Sequence, residues 1–426
     1  MNLPDLPAPL GHTGQDWIVV AIFATVYLGM FLGGLPRLKL DRSGVALLGA
    51  IAVMALTGLP LQDAAQAVDL PTIVLLFAFM VVSAQMRLGG FYTEVTRRVG
   101  GLALSRRGLL AALIAVAGGL SAVFSNDIIC LAMTPVVARL CLQRGLNPVP
   151  FLIGLACAAN IGSAATLIGN PQNMLIGSVL QLPFGGYVRQ ALGPVVLGLG
   201  FLWLWLAYGP GSRTGAGELA RPVAVHVPLE DAPAFDRWQT AKGLSVAGVL
   251  LLVFLFTDWP RDVAALVGAG VLLLSRRLHS SQVMGFVDWQ LLLLFMGLFV
   301  VNHAFEQTGL ATEAVAWLAA QGVHLSDPGA LLVLGAALSN LVSNVPAVML
   351  LLPHLGANAS EAGVMLALVS TFAGNLLLVG SIANLIVVYL AAKQGIAIDW
   401  KQHALTGIPV TLGSLAVVWG WMRWLG

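Results

Sequence analysis

The chain has 426 residues, of which 58% are hydrophobic and 9% charged, with a formal net charge of +2. Soluble globular proteins carry about 25% charged residues, so this composition excludes a soluble domain and points to a polytopic helical membrane protein. The apolar runs do not alternate with polar residues as β-barrel strands would, no basic tract suggests nucleic acid, and no P-loop for ATP is present.

The first 16 residues are polar and proline-rich, without Lys or Arg; with no basic stretch ahead of the first apolar run, a cleaved signal peptide is not expected. Spans are predicted at about 17–35, 45–59 and 70–86. Residues 91–107 mix charges among apolar positions and predict an amphipathic helix lying in the interface. Two short apolar arms follow at about 109–124 and 128–142, with Ser125-Asn126-Asp127 between them. Each arm is shorter than the roughly 20 residues a crossing needs, which predicts a re-entrant hairpin. Residues 148–180 are apolar but interrupted by Asn160, Gly162, Thr166, Gly169, Asn170, Pro171 and Asn173, the pattern of a helix broken inside the membrane. A further span is predicted at about 192–208.

Residues 209–242 form the one sizeable polar loop and are predicted to be a cytoplasmic linker. The pattern then restarts. Spans are predicted at about 244–256, 263–274 and 289–305, an interfacial helix at 310–323, and a hairpin at 330–355 carrying Ser343-Asn344. A broken helix over 364–392 contains Gly374, Asn375, Gly380, Ser381 and Asn384, and a last span runs from about 405 to 421. Ser121, Ser125 and Pro135 recur as Ser339, Ser343 and Pro353, each 218 residues later; Asp69 and Glu94 recur as Asp288 and Glu313 at 219. The expected fold class is therefore all-α, an inverted repeat of five crossings per half over 1–208 and 243–426, with two hairpins (109–142 and 330–355) and two broken helices (148–180 and 364–392). With both termini extracytoplasmic, 18 of the 21 Lys and Arg fall inside, as the positive-inside rule requires.

At each hairpin tip, Ser and Asn stand where a half-helix begins. Both are good N-caps, and a helix N-terminus carries about half a positive charge. Two such ends, with glycines and asparagines of the breaks bringing carbonyls close, suit a small anionic or polar solute and a cation such as Na⁺. The candidate binding residues are Ser125, Asn126, Asp127, Asn160, Thr166, Gly169, Asn170, Asn173, Ser343, Asn344, Asn375, Gly380, Ser381 and Asn384, with a possible Na⁺ site at Ser125, Asn126, Asp127, Ser343 and Asn344. A carboxylate inside the membrane is costly unless paired, protonated or hydrated, so Asp127 is expected to carry a proton or bind a cation. Its repeat counterpart is Val345. No resident cofactor and no enzymatic motif is expected, and Cys130, Cys141 and Cys157 read as small buried hydrophobes.

Asn160-Ile-Gly-Ser-Ala-Ala-Thr-Leu-Ile-Gly169-Asn170-Pro171-Gln-Asn173 resembles the broken-helix motif of the ion transporter superfamily. That group includes citrate-transporter-like permeases, divalent anion/sodium symporters, arsenite permeases and some sodium/proton antiporters. Ser125-Asn126-Asp127 with Thr134-Pro135 is similar to the hairpin of the arsenite permease branch, and the second-half motifs resemble its counterparts. The resemblance implies a secondary active transporter of an inner membrane, coupled to H⁺ or Na⁺. It would be an elevator-type homodimer in which hairpins and broken helices move against a scaffold of outer spans. In the symporter branch the tips read Ser-Asn-Thr; here Ser125, Asn126, Ser343 and Asn344 match, and Asp127 and Val345 replace the threonines. That shifts the expectation towards proton-coupled export of an oxyanion or metalloid acid. A channel is the rival reading.

Overall fold

The computed structural model describes residues 12–35, 38–213, 234–356 and 358–425. The N-terminal residues 1–11 and the middle of the expected linker, 214–233, lie outside the described residues. In chain order the helices are α1 (Gly14–Leu32), α2 (Arg42–Thr57), α3 (Leu61–Gln66), α4 (Leu70–Leu88), α5 (Phe91–Gly101), α6 (Arg106–Ser121), α7 (Asn126–Gln143), α8 (Val149–Ser163), α9 (Pro171–Val179) and α10 (Phe184–Tyr208). They continue as α11 (Arg237–Phe256), α12 (Arg261–Leu273), α13 (Ser280–Met284), α14 (Trp289–Gln307), α15 (Leu310–Ala320), α16 (Pro328–Val342), α17 (Asn344–Leu351), α18 (Ala359–Ala373), α19 (Ile382–Ala392) and α20 (Trp400–Leu425). A two-residue antiparallel ribbon, Gly34–Leu35 with Leu40–Asp41, joins α1 to α2; no strand was expected in an all-α chain. Among the described residues seven helices are long and apolar enough to cross a membrane. The chain is thus a largely helical, polytopic membrane protein.

One of the seven is α7, which departs from the sequence expectation of two short hairpin arms. Asn126 and Asp127 belong to its first turn rather than to the tip, and Pro135 lies inside it without ending it. The arm is 18 residues long in consequence. The tip shrinks to the four residues between Ser121 and Asn126.

The helices form two compact units, each drawing on both halves of the sequence. One contains α1–α3, α14 and α15. There, α2 and α14 cross closely: a Cβ on Gly297 would sit 2.7 Å from the backbone of Ala46. In lipid, where no hydrophobic effect drives helices together, such small-residue contacts supply the packing. The buried Tyr27 hydroxyl donates to Asn302 (2.7 Å), which pins α1 to α14.

The second unit contains the remaining helices. Its core holds buried polar residues among alkyl side chains, notably Asn126, Asn160, Asn170, Asn173, Asn375 and Asn384. Outward faces are apolar, with Leu252 and Leu412 about 60% exposed, the reverse of a soluble protein and as lipid requires. Helix α6 crosses α8 where a Cβ on Gly162 would overlap the backbone of Gly118. Within the amphipathic α5, Glu94 is buried and accepts from Arg97 (2.6 Å) and Arg98 (2.7 Å). The Arg144 guanidinium donates to the carbonyls of Gly100 and Leu102, fastening the end of α7 to α5.

Candidate functional site

The two hairpin tips leave their helix N-termini open. Ser125 holds the capping position of α7 and Ser343 that of α17, as the sequence suggests, yet neither side chain accepts a hydrogen bond from its helix. At α7 the Asn126 N–H goes to the Gly169 carbonyl and those of Ile128 and Ile129 to the Ser125 carbonyl, which leaves the Asp127 N–H open; at α17 the Ala347 N–H goes to the Ser343 carbonyl and Pro346 has none, which leaves those of Asn344 and Val345. The second halves of the broken helices differ. Asn170 caps α9 by accepting from the Asn173 N–H (2.9 Å), and the Ser381 hydroxyl oxygen caps α19 by accepting from the Ala383 N–H (3.2 Å). Ser343 also has a backbone of φ 80° and ψ 159°, a region that only glycine occupies freely. At the first tip Ser125 has φ −52° and is unstrained.

Each tip rests on a glycine of the break in its own half. The Asn126 N–H points at the Gly169 carbonyl (3.4 Å), and a Cβ on Gly169 would stand 2.7 Å from the Ser121 carbonyl. The amide of Asn344 lies 3.1 Å from where a Cβ of Gly374 would be, and that of Asn340 lies 2.9 Å from the same point on Gly380. Glycine at these positions is what lets the tips approach the broken backbone.

A chain of amides then joins the halves. The Asn126 NH₂ donates to Asn160 Oδ1 (2.9 Å), and so does the Ser381 hydroxyl (3.0 Å). The Asn160 NH₂ donates to Asn375 Oδ1 (2.9 Å) and to Asn384 Oδ1 (3.3 Å). Asn384 in turn donates to the carbonyls of Gly374 (3.0 Å) and Leu377 (3.2 Å). Asn160 thus uses both donors and both acceptor positions on protein. Thr166 is occupied too: its hydroxyl donates to the Ala122 carbonyl and accepts from the Ile168 N–H (3.2 Å). Asn170 donates to the hydroxyls of Ser163 and Thr371, and Asn173 to the Thr166 carbonyl and the Tyr187 oxygen.

Some buried polar atoms have no partner in the protein. Among the described residues those near the two breaks are Asn126 Oδ1, Asn173 Oδ1, Asn340 Oδ1, Asn344 Oδ1, Asn375 Nδ2 and the hydroxyls of Ser121 and Ser339, and others, such as Ser83 Oγ and Gln85 Oε1 on α4, lie elsewhere. Most buried polar atoms are satisfied, so the group of unsatisfied ones around the two helix breaks makes this the candidate site. Asp127 stands outside the amide chain and is half-buried.

Sequence reasoning missed Asn340 and His403. The repeat counterpart of Asn340 is Ala122, so the 218-residue symmetry hides it; only its place beside Ser339 hints at it. His403 is buried on α20, and its Nε2 bonds the Asn375 carbonyl at the second break (3.0 Å). It belongs to no repeated motif.

Comparison with known proteins adds an independent line. The citrate transporter family model matches residues 17–373. The chain is 29% identical to the silicon efflux transporter LSI3 of Oryza sativa subsp. japonica, over 95% of each protein. It is also 29% identical to the inner membrane protein YbiR of Escherichia coli (strain K12), over 82% of this chain and 87% of YbiR. Among solved structures, the YdaH transporter of Alcanivorax borkumensis superposes with a TM-score of 0.62 at 15% identity, covering 97% of this chain and 98% of that one.

Proposed function

The chain belongs to the citrate transporter family and is a membrane transporter rather than an enzyme, and from that premise we propose that it is a secondary active permease moving a small oxyanion or oxyacid, coupled to H⁺ or Na⁺. The observation that carries the reading is the pair of uncapped helix N-termini at Ser125 and Ser343, each set against a glycine of a helix break. Open N–H groups at a helix N-terminus bind the oxygens of a solute. In this reading the hairpins re-enter the membrane, the halves are inverted repeats, and the transport domain rides as an elevator in a homodimer. Candidate ligands are Ser125, Asn126, Ser343, Asn344 and Asn375. Asn160, Asn170 and Thr166, whose hydrogen bonds are already used, hold them in place. Asp127 carries the coupling proton or binds the coupling cation.

A second reading, efflux of an undissociated metalloid acid, is favoured by the likeness to a silicon efflux transporter along 95% of both chains.

Counterflow in proteoliposomes tests the proposal. Asn126→Ala and Asn344→Ala should each abolish flux while leaving expression near normal, since a bond to a charged ligand is worth about 1.5–3 kcal/mol. Asp127→Asn should lose pH-driven flux but keep solute exchange if it carries the proton. Wild-type flux in both tip variants would refute the site, and full pH-driven flux in Asp127→Asn would remove the proton-carrier role.

A further inference from the structure

We infer that His403 on α20 is a positioning residue that couples a proton to the second helix break: its ring holds the backbone of Asn375, and so places the Asn375 amide, more firmly when the ring is charged. This rests on the transporter reading above, in which Asn375 is a ligand of the solute.

Helix α18 ends at the second break, and four successive carbonyls there face donors from three other helices. The Phe372 carbonyl faces the Thr411 hydroxyl on α20 (3.5 Å), and that of Ala373 accepts from Asn340 on α16 (3.0 Å). The Gly374 carbonyl accepts from Asn384 on α19 (3.0 Å), and that of Asn375 from His403 (3.0 Å). Of these donors only the imidazole takes up a proton near neutral pH. At the first break the carbonyls of Ala164 and Thr166 accept from Tyr187 and Asn173, neither of which does so. A proton on a donor of this kind is thus felt at the second break.

The local packing is fitted to this contact. His403, Gly407 and Thr411 stand four residues apart and form one stripe of α20. A Cβ on Gly407 would overlap the Asn375 carbonyl oxygen and lie 2.9 Å from His403 Nε2, so glycine there is what lets the carbonyl reach the ring. His403 is 2% exposed. The carbonyl can only accept, so Nε2 carries the hydrogen and the lone pair of the neutral ring is on Nδ1. A second proton can therefore enter at Nδ1 without breaking the bond to Asn375. The charged ring donates more strongly, and the C-terminal end of α18 favours a positive charge beside it, against the cost of burial. The Asn375 side chain follows its own backbone. Its oxygen is held by Asn160, and its NH₂, buried and without a partner, is what remains for the solute.

The elements packed against α20 carry Tyr187, Arg189 and Tyr208 on α10, Cys157 on α8, Glu361 on α18 and Arg213 in the turn after α10. Helix α20 itself carries Lys401 and Arg423, with Asp399 just before it. Among the described side chains none of these hydrogen-bonds the ring, and Arg189, Glu361, Asp399, Lys401 and Arg423 are exposed.

Nitrogen NMR of the purified full-length protein, labelled in its histidines, tests this. The chain has seven histidines, and the signal lost in His403→Gln is that of His403; if that variant does not match the wild-type thermal melt, replacing the other six one at a time identifies it. The ring should carry its hydrogen on Nε2 at alkaline pH and take up the second proton between about pH 5 and 8. Hydrogen exchange of residues 375–380, corrected for its intrinsic pH dependence, should slow roughly fivefold as the ring charges. His403→Gln keeps a donor but not the proton and should show no such step, whereas Asp127→Asn should keep it. Counterflow of arsenous acid and sulfate, whose own charge stays constant over this range, gives the link to transport: flux should change with pH in step with the ring, and His403→Gln should keep flux but lose that dependence. Hydrogen on Nδ1, a ring that does not titrate in this range, or an exchange step that persists in His403→Gln overturns the inference. So does a pH dependence of flux that His403→Gln leaves unchanged. No counterflow of either solute counts against the transporter reading instead, while the NMR and exchange data still decide the role of His403.

Discussion

Ser343 shows most plainly how a single residue can be held against its own preference. Its φ of 80° and ψ of 159° place a Cβ where L-residues rarely go, and such positions persist only where their surroundings over-determine them. Here the constraint comes from the short turn between α16 and α17, with Asn344 packed on Gly374. Ser343→Gly should raise stability by about 1 kcal/mol, because the strain at such a site is of order 1–3 kcal/mol and glycine costs some of it back in the unfolded chain. Ser125→Gly, at an ordinary φ, should show no such gain. Thermal melts of the two variants in detergent check this; equal shifts would mean that the second tip is not strained.

At the scale of elements, α5 is braced by ion pairs along its own length. Hydrogen bonds from Arg97, and next from Arg98, hold the Glu94 carboxyl below its ordinary range. A depressed folded value means that the stabilisation is present above the ordinary carboxyl range and is lost as pH falls through the folded value. Mild acid should therefore loosen α5 before the spans, and Glu94→Gln should remove that part of the acid sensitivity. Hydrogen exchange of residues 91–101 across an acid series would show it, and an unchanged slope in Glu94→Gln would count against the pairing. The link from Arg144 to the carbonyls of Gly100 and Leu102 carries any loosening of α5 to the end of α7.

For the whole molecule, the distribution of charge sets the orientation we propose. We propose that both termini are extracytoplasmic and the 209–242 linker cytoplasmic, because that arrangement puts 18 of the 21 Lys and Arg inside. Single cysteines placed in 214–233 should resist a membrane-impermeant maleimide added to intact cells, and one placed before Trp17 should react. Labelling of the linker from outside would invert the assignment. The native Cys130, Cys141 and Cys157 are buried and should not interfere.

The sequence by itself determined the class of this protein. A chain that is 58% hydrophobic and 9% charged, with long apolar runs, has one solvent it can live in, and backbone hydrogen bonding in lipid then imposes helices. It also located the breaks, because Gly169, Asn170, Gly380 and Asn384 interrupt apolar runs where nothing but a local polar need explains them. What the sequence could not decide was how far each helix runs and which polar atoms are already used. The Asn126-Asp127 pair belongs to α7 because the first turn of a helix tolerates polar side chains as well as a loop does. Asn160, Asn126 and Asn340 are equally asparagines in the sequence. Only contacts across 34 to 224 residues make Asn160 a saturated hub and leave Asn126 with an unpaired oxygen, and Asn340 is left with one by carbonyls 4 and 33 residues away. An amide has two unlike ends, and which end faces the solute is a property of its neighbours in space.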